Sequence, residues 1–376
     1  VISQRPQIAV NMLWCVPGNV GGSEEYFVRQ LLGLAEIGAP FDVAVYAPRG
    51  FTTAHPEVAD VAKVVEAPSS CRNRELRVWL ENTWLASRTS RAHVVHHGGG
   101  TMPSRGNRST LLTVHDVQYL TFPEYFSRLK LAYLRNRVPS AIRRATVIAA
   151  PSEYVRSSIE HNFGTDRART TVVRHGLEQE IGQGKTSESE LRQRFNLGQS
   201  RILVMPAITH PHKNHQFILN LLANQWRAED VKVVMVGGKG LADNAVQRQI
   251  VDLGLSERVV RSGRVNAPDR DGLLAMAEAL VFPSLYEGFG APVIEAMALG
   301  TPVITSNCAS LPEVVGDAGL VLGLSGSAWS GALDQVRQQR HELVQRGLAR
   351  AAQFSAAKSA EDLVLAYEKV LAAGRR

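Results

Sequence analysis

The chain is predicted to be an α/β protein built from two doubly wound, Rossmann-like domains. Short apolar runs rich in β-branched residues alternate with helical patterns twice along its 376 residues. That alternation favours a parallel sheet covered on both faces. A polar stretch over 178–199, almost without β-branched apolar residues, separates the two series. The length exceeds one ordinary domain and suits two, and 44% hydrophobic against 20% charged residues supplies a sizeable core.

Ile8–Leu13 (IAVNML) reads as a buried first strand. It is followed by a glycine turn, Gly18 to Gly22, and an amphipathic helix from Ser23 to Ile37. Ser23 is expected to cap that helix, with Glu24 and Glu25 in its first turn. Further strands are expected at FDVAVYA (41–47), HVVHH (93–97), STLLTVH (109–115), ATVIAA (145–150) and TTVVRH (170–175). Helices fill Arg74–Thr89, Arg128–Arg144 and Ser152–His161. The polar stretch suits a linker running into a short helix. Beyond it, RILVMP (201–206), KVVMVGG (232–238), RVVRSG (258–263), ALVFPS (279–284), TPVITS (301–306) and AGLVLG (318–323) read as strands. Helices are expected at Phe217–Asn224, Ala242–Leu253, Arg270–Glu278 and Ala291–Leu299, and Ser327–Leu371 reads as helices alone. The expected domains are 1–180 and 181–355, with a C-terminal helix over 356–376 free to pack back on the first. Their facing carboxyl-terminal strand edges make the natural ligand cleft.

Composition narrows the function. Cys15, Cys71 and Cys308 are scattered and form no C-x-x-C pair, which argues against a disulfide framework or a zinc site. The opening VISQRPQIAVNMLW lacks the pattern of a signal peptide, and no apolar run approaches the ~20 residues that span a bilayer. A cytoplasmic location is expected, with the inner face of the cell membrane within reach. The net charge of +7 points to anionic partners. Aromatic residues are only 6% and one segment concentrates the charge, which disfavours a nucleic-acid module. In that segment Arg128, Lys130, Arg135, Arg137, Arg143 and Arg144 interleave with Phe126, Leu129, Tyr133 and Leu134. It reads either as a helix on an anionic membrane surface or as a solvated helix with its stripe in the core. The short stripe favours the second.

The most informative segment runs from Pro283 to Met297. A strand ending at Phe282 enters a glycine-bearing turn, and a helix starts near Pro292, a residue suited to a first helical position. Free amides at a helix start bind phosphate oxygens, and Gly288 and Gly290 let backbone approach a ligand. Glu295, one turn in, is placed to accept ribose hydroxyls, and Glu287, in the loop, sugar hydroxyls. Carboxylates beside a helix start are otherwise ordinary dipole partners.

The pattern S-x-x-E-G-F-G-x-P-V-x-E-A-M-A-x-G-x-P-V-I, from Ser284 to Ile304, resembles the signature of retaining glycosyltransferases of family four, which have the GT-B fold. The likeness extends to Ser310-Leu-Pro-Glu313, to Ala318-Gly319, to the amino-terminal glycine turn and to His115-Asp116. The resemblance implies that Glu287 contacts the donor sugar and Glu295 the nucleotide ribose. It implies that amides around Phe289, Gly290 and Ala291 hold sugar and diphosphate, and that those of Gly21 and Gly22 approach the donor phosphate. His115 then faces the transferred sugar, with Asp116 orienting its ring or capping the following turn. Lys213 neutralises the leaving diphosphate, and Arg264 with Val265 lines the nucleobase pocket. Ala207 stands where many relatives carry an arginine, so a phosphate contact is missing or is supplied by His210 or His212. Pro211-His212-Lys213-Asn214-His215 and His115-Asp116-Val-Gln-Tyr119 look like the mannosyl- and rhamnosyltransferase branch. This implies a nucleotide-sugar donor, GDP-mannose by a narrow preference with UDP- and dTDP-sugars open, and a glycan or lipid-linked acceptor.

Two metal patterns compete with that metal-independent reading. His210, His212 and His215 lack the spacing and the acidic or thiol partner of a zinc set. Asp269-Arg-Asp271 matches a D-x-D pattern but opens a helix after a strand, where aspartates serve capping and the dipole. A nicotinamide oxidoreductase would need a G-x-G-x-x-G that neither half carries. A phosphorylase or epimerase of the same fold, and a non-enzymatic anion-binding protein, stay open.

Overall fold

The computed structural model describes residues 5–16, 21–107 and 109–374. The chain divides into two compact units, 1–176 with 355–376, and 177–354.

The first unit is built on a parallel seven-stranded sheet among the described residues. Its strands are β1 (Gln7–Asn11), β2 (Asp42–Ala47), β3 (Lys63–Glu66), β4 (Val94–His97), β5 (Thr110–Thr113), β6 (Val147–Ala150) and β7 (Thr170–Val172), in the order 3-2-1-4-5-6-7. The central strands are apolar almost without interruption because helices cover both faces. β3 was not expected from the sequence. It is a four-residue edge strand with both ends exposed, too short to show a period.

Two helix details depart from expectation. The first helix spans Gly22–Glu36 and its N-cap is Gly21 at φ 77°, with no side-chain cap, so Ser23 lies inside the first turn. Helix Arg128–Arg144 turns Val138, Ala141 and Ile142 into the core, with Leu131 and Leu134 packed against it. Its apolar stripe is therefore used internally, and Arg137 and Arg144 donate to the carbonyls of Met102 and Pro103.

The C-terminal helix Ala356–Ala373 packs on Gly22–Glu36. A Cβ on Gly33 would stand 2.4 Å from the Ala356 carbonyl oxygen, so glycine is what lets the two backbones approach. Tyr367 from this helix reaches the sheet, its hydroxyl 2.9 Å from His96 Nδ1.

The second unit carries β8 (Arg201–Pro206), β9 (Val231–Val236), β10 (Val259–Gly263), β11 (Ala279–Phe282), β12 (Val303–Ser306) and β13 (Leu320–Leu322). All are parallel, in the order 10-9-8-11-12-13. Asp269 and Asp271 do not cap helix Ala267–Met276; Asn266 does, accepting from the Asp269 amide. Asp269 accepts from Thr186 Oγ1 at 2.6 Å and Arg194 at 2.5 Å, and Asp271 from the Gly182 amide at 2.8 Å. The D-x-D carboxylates therefore fasten the polar stretch to its own unit.

Candidate functional site

In a doubly wound sheet the strand order reverses at one point, and loops leaving the strands that flank it diverge to leave a crevice. In the second unit those strands are β8 and β11. The loop leaving β8 carries Lys213 at the end of a short 3-10 turn, Pro211–Lys213, and the loop leaving β11 carries Glu287. The two loops are laced together. The Leu285 amide donates to the His212 carbonyl at 2.7 Å, and Asn214, itself left-handed at φ 56°, donates to the Pro283 carbonyl at 3.2 Å. Lys213 Nζ then lies 2.6 Å from Glu287 Oε1, both side chains largely buried.

The turn ahead of helix Ala291–Ala298 is held from beneath. Ser310, fully buried, sits 3.0 Å from the carbonyl oxygens of both Glu287 and Phe289. Gly290 is the N-cap at φ 99°, and a Cβ there would meet Leu311 Cδ2 at 2.9 Å. The Phe289 ring packs edge-on against Phe354, 5.5 Å between centroids, so this residue can offer a ligand only its backbone. Ala291 and Pro292 open the helix, and Glu295 follows within it, 7% exposed.

Arg270 was missed by sequence reasoning. Its guanidinium takes both oxygens of Glu178, at 3.2 and 3.1 Å, and Nε donates to Asp271 at 2.8 Å. Burial opposes its charge, but Glu295, Glu178 and Asp271 together raise its pKa. No local motif marks such a residue, because Glu178 and Glu295 come from separate segments of the chain. Ser310 stood in a recognised pattern, yet its role as a clamp required the fold.

Arg264 and Val265 follow the end of β10. Arg264 lines a cavity of about 410 Å³ together with Ala207, Gly237, Gly238, Lys239 and Arg261. Ala207, where the resemblance leads one to expect an arginine, therefore forms part of a wall where three cations stand. Val265 packs against the core. His210 and His212 stack at 5.8 Å between centroids. Desolvation, with Lys213 second, pushes His212 down to about 3. Among the described residues no group of three or more His, Cys, Asp or Glu is placed to hold a metal ion.

The first unit holds the remaining candidates. Gly21 and Gly22 lie at the start of the helix after β1, with open space where either Cβ would stand; Gly18 lies outside the described residues. Glu24, in the same turn and 4% exposed, takes His55 Nε2 at 2.7 Å, an interaction that raises the His55 pKa. His115 follows β5. Its Nε2 donates to the Gly98 carbonyl at 3.0 Å, and its ring meets those of Tyr26 and Trp14 at 5.3 and 6.2 Å. Desolvation pushes it down to about 4. Asp116 accepts from the Gln118 amide at 2.9 Å and so caps the next turn, while Gly98 orients the ring. Lys213, Glu287, Phe289 and Gly290 thus form one connected group, His115 reaches the Gly22–Glu36 helix through Tyr26, and Arg264 lines a cavity of its own.

Residues 187–341 match the family model for glycosyl transferases group 1, and residues 20–180 match that for glycosyltransferase family 4. The chain is 32% identical over 293 residues to O-antigen chain mannosyltransferase B of Escherichia coli, covering 75% of this chain and 76% of that one. It is 27% identical to the O-antigen chain mannosyltransferase RfbU of Salmonella typhimurium, with the same coverage. A crystal structure of Anabaena HepE with UDP and glucose superposes with a TM-score of 0.74 at 18% identity, over 95% of this chain and 98% of that chain.

Proposed function

The chain belongs to the group 1, family 4 glycosyltransferases, and on that premise we propose that it moves mannose from GDP-mannose to a glycan or lipid-linked acceptor, with retention and without a metal ion. The observation that carries this reading is the Lys213–Glu287 pair on loops from the two switch-point strands, ahead of a glycine-capped helix start. A cation, a carboxylate and helix-start amides together suit a sugar diphosphate. The lean to mannose rests on the two O-antigen mannosyltransferase relatives.

In this reading Glu295 accepts the ribose hydroxyls, and the amides of Gly290 and Ala291 meet the diphosphate. Lys213 stabilises the charge that grows on the leaving group. In the first unit the amides of Gly21 and Gly22 suit a donor phosphate, and in the second Arg264 and Val265 border the base. Glu287 takes a sugar hydroxyl. His115, neutral near pH 7, donates its Nε2 proton to the Gly98 carbonyl and offers Nδ1 to a sugar hydroxyl. The bond from the anomeric carbon to the phosphate oxygen breaks, the acceptor oxygen bonds to that carbon on the same face, and the acceptor proton passes to the leaving diphosphate.

The test is nucleotide release from GDP-mannose, UDP-glucose and dTDP-rhamnose, with and without EDTA, in wild type and in Glu287→Ala and Glu295→Ala. EDTA-resistant turnover of GDP-mannose, lost in both variants, is expected. Preference for another donor would move the sugar assignment. Loss of activity in EDTA, restored by a divalent ion, would overturn metal independence.

A further inference from the structure

We propose that the first unit docks on an anionic lipid surface through a ridge formed by helix Arg74–Leu80 and the start of helix Arg128–Arg144. Large apolar side chains normally leave water, and only a few here do not. Three of them lie on these two helices: Leu129 is 86% exposed, Trp79 60% and Leu76, one turn before Trp79, 41%. Trp79 and Leu129 line one groove of about 640 Å³ with Arg74, Glu75, Val78 and Tyr133. A clustered exposed patch marks an interaction surface, where a single exposed leucine does not.

Charge identifies the occupant. Arg72, Arg74, Arg128, Lys130 and Arg135 are exposed on these same two segments, and Glu75 is the acidic residue in the groove. Arg74 lies 3.4 Å over the Tyr133 ring and Lys130 5.2 Å over Phe126, so both cations are held against aromatic faces. Apolar tips ringed by Arg and Lys match a bilayer interface, with headgroup phosphates meeting the cations and acyl chains the tips. A protein partner of complementary charge would want carboxylates opposite the ring. The proposed contact is superficial; among the described residues no helix is long and apolar enough to cross a membrane. Nor does helix Arg128–Arg144 lie flat on the surface, because its stripe faces the core; only its first two turns take part.

The proposal does not depend on the donor or on the transfer chemistry. It is tested by co-sedimentation with vesicles of phosphatidylcholine, alone or mixed with phosphatidylglycerol. Binding to the mixed vesicles that weakens with salt is expected, and a Trp79→Ser/Leu129→Ser variant should partition about tenfold less. Trp79 emission should shift to the blue on binding, and Trp79→Phe should lose that shift while still sedimenting. Donor turnover in solution should be unchanged in the double variant. Absence of wild-type binding, equal binding to both vesicle types, or full binding by the double variant would each overturn the proposal. So would a wild-type dimer in light scattering that the double variant abolishes, since a second copy would then cover the ridge.

Discussion

Lys213 Nζ and Glu287 Oε1 are 2.6 Å apart, and the same ammonium stands 5.4 Å from the centre of the Phe282 ring. The two groups therefore satisfy each other at the end of β11. A sugar diphosphate offers Lys213 more negative charge than one carboxylate, and its sugar hydroxyls offer Glu287 donors in return. Exchange of this ion pair for two ligand contacts is the event on which the proposed chemistry turns.

Lys213→Ala and Glu287→Ala should each lower kcat by about 10²–10³, the scale for removing one preorganised electrostatic partner. Because each residue positions the other, the double variant should lose much less than the product of the two effects. Steady-state kinetics on the preferred donor decides this. A multiplicative loss would show that the pair does not act as a unit.

Arg270→Gln should destabilise the second unit by about 2 kcal/mol, since Glu178 and Asp271 lose charged hydrogen bonds and Glu295 loses a nearby cation. Thermal unfolding checks this, and Arg270→Lys should recover only part because it cannot span Glu178 with two parallel bonds. Nucleotide affinity should fall together with stability. An unchanged melting temperature would mean that these carboxylates do not need the guanidinium.

Gly290→Ala combines a left-handed backbone at φ 99° with a Cβ only 2.9 Å from Leu311 Cδ2. A cost of roughly 1–2 kcal/mol in strain is expected, with activity falling further because the loop that carries Glu287 must shift. Gly323→Ala, whose Cβ would meet nothing within 4 Å, is the control and should leave both readings near wild type. Calorimetry and donor turnover on the two variants separate a strained site from a general glycine effect.

Stability should fall on mild acidification, before the carboxylates titrate. Desolvation pushes His96 and His97 down to about 3 and His115 to about 4, and does the same to His212 and His215, to about 3 and about 4. Unfolded histidine titrates near ~6.5. Below that pH the unfolded chain binds protons that these native rings refuse, so their contribution is complete above about pH 6.5 and is lost as pH falls. The slope is at most about 1.4 kcal/mol per pH unit for each ring. His55, raised by Glu24, acts in the opposite sense: its contribution is present below its unfolded value and is lost as pH rises through its folded one. Melting temperatures between about pH 7.5 and 5 should decline. A flat profile would show that these rings are hydrated.

The sheet of the second unit was legible because its strands are buried on both faces and bounded by glycine, proline or helix starts, as at Ala279–Phe282 ahead of the Pro283 turn. Lys63–Glu66 was not, since a half-exposed edge strand of four residues carries neither a period nor an apolar run. The loop of Glu287 and the helix of Glu295 could be placed by local order along the chain. The arrangement that joins Lys213 to Glu287 could not, because it depends on β8 and β11 being neighbours, a relation of topology. Asp269 shows the limit of local rules. Its position at a helix start suggested a capping or dipole role, yet its carboxylate is spent on Thr186 and Arg194 from a distant segment.

The placement of helix Ala356–Ala373 in the first unit also governs when that unit can finish folding. Tyr367 meets His96 across the sheet, and Leu363, Ala366 and Val370 belong to the same core as Ile8 and Val10. A ribosome that has translated residue 176 has therefore made every strand of that sheet and still lacks one wall of its core. The missing wall appears only after the entire second unit has been synthesised, a wait of roughly 10–40 s at ~5–20 residues per second. During that interval Gly33 and its neighbours expose an apolar face on a nascent chain. The second unit, whose segments lie together along the chain, has no such delay and can complete first, so the order of folding is expected to run against the order of synthesis.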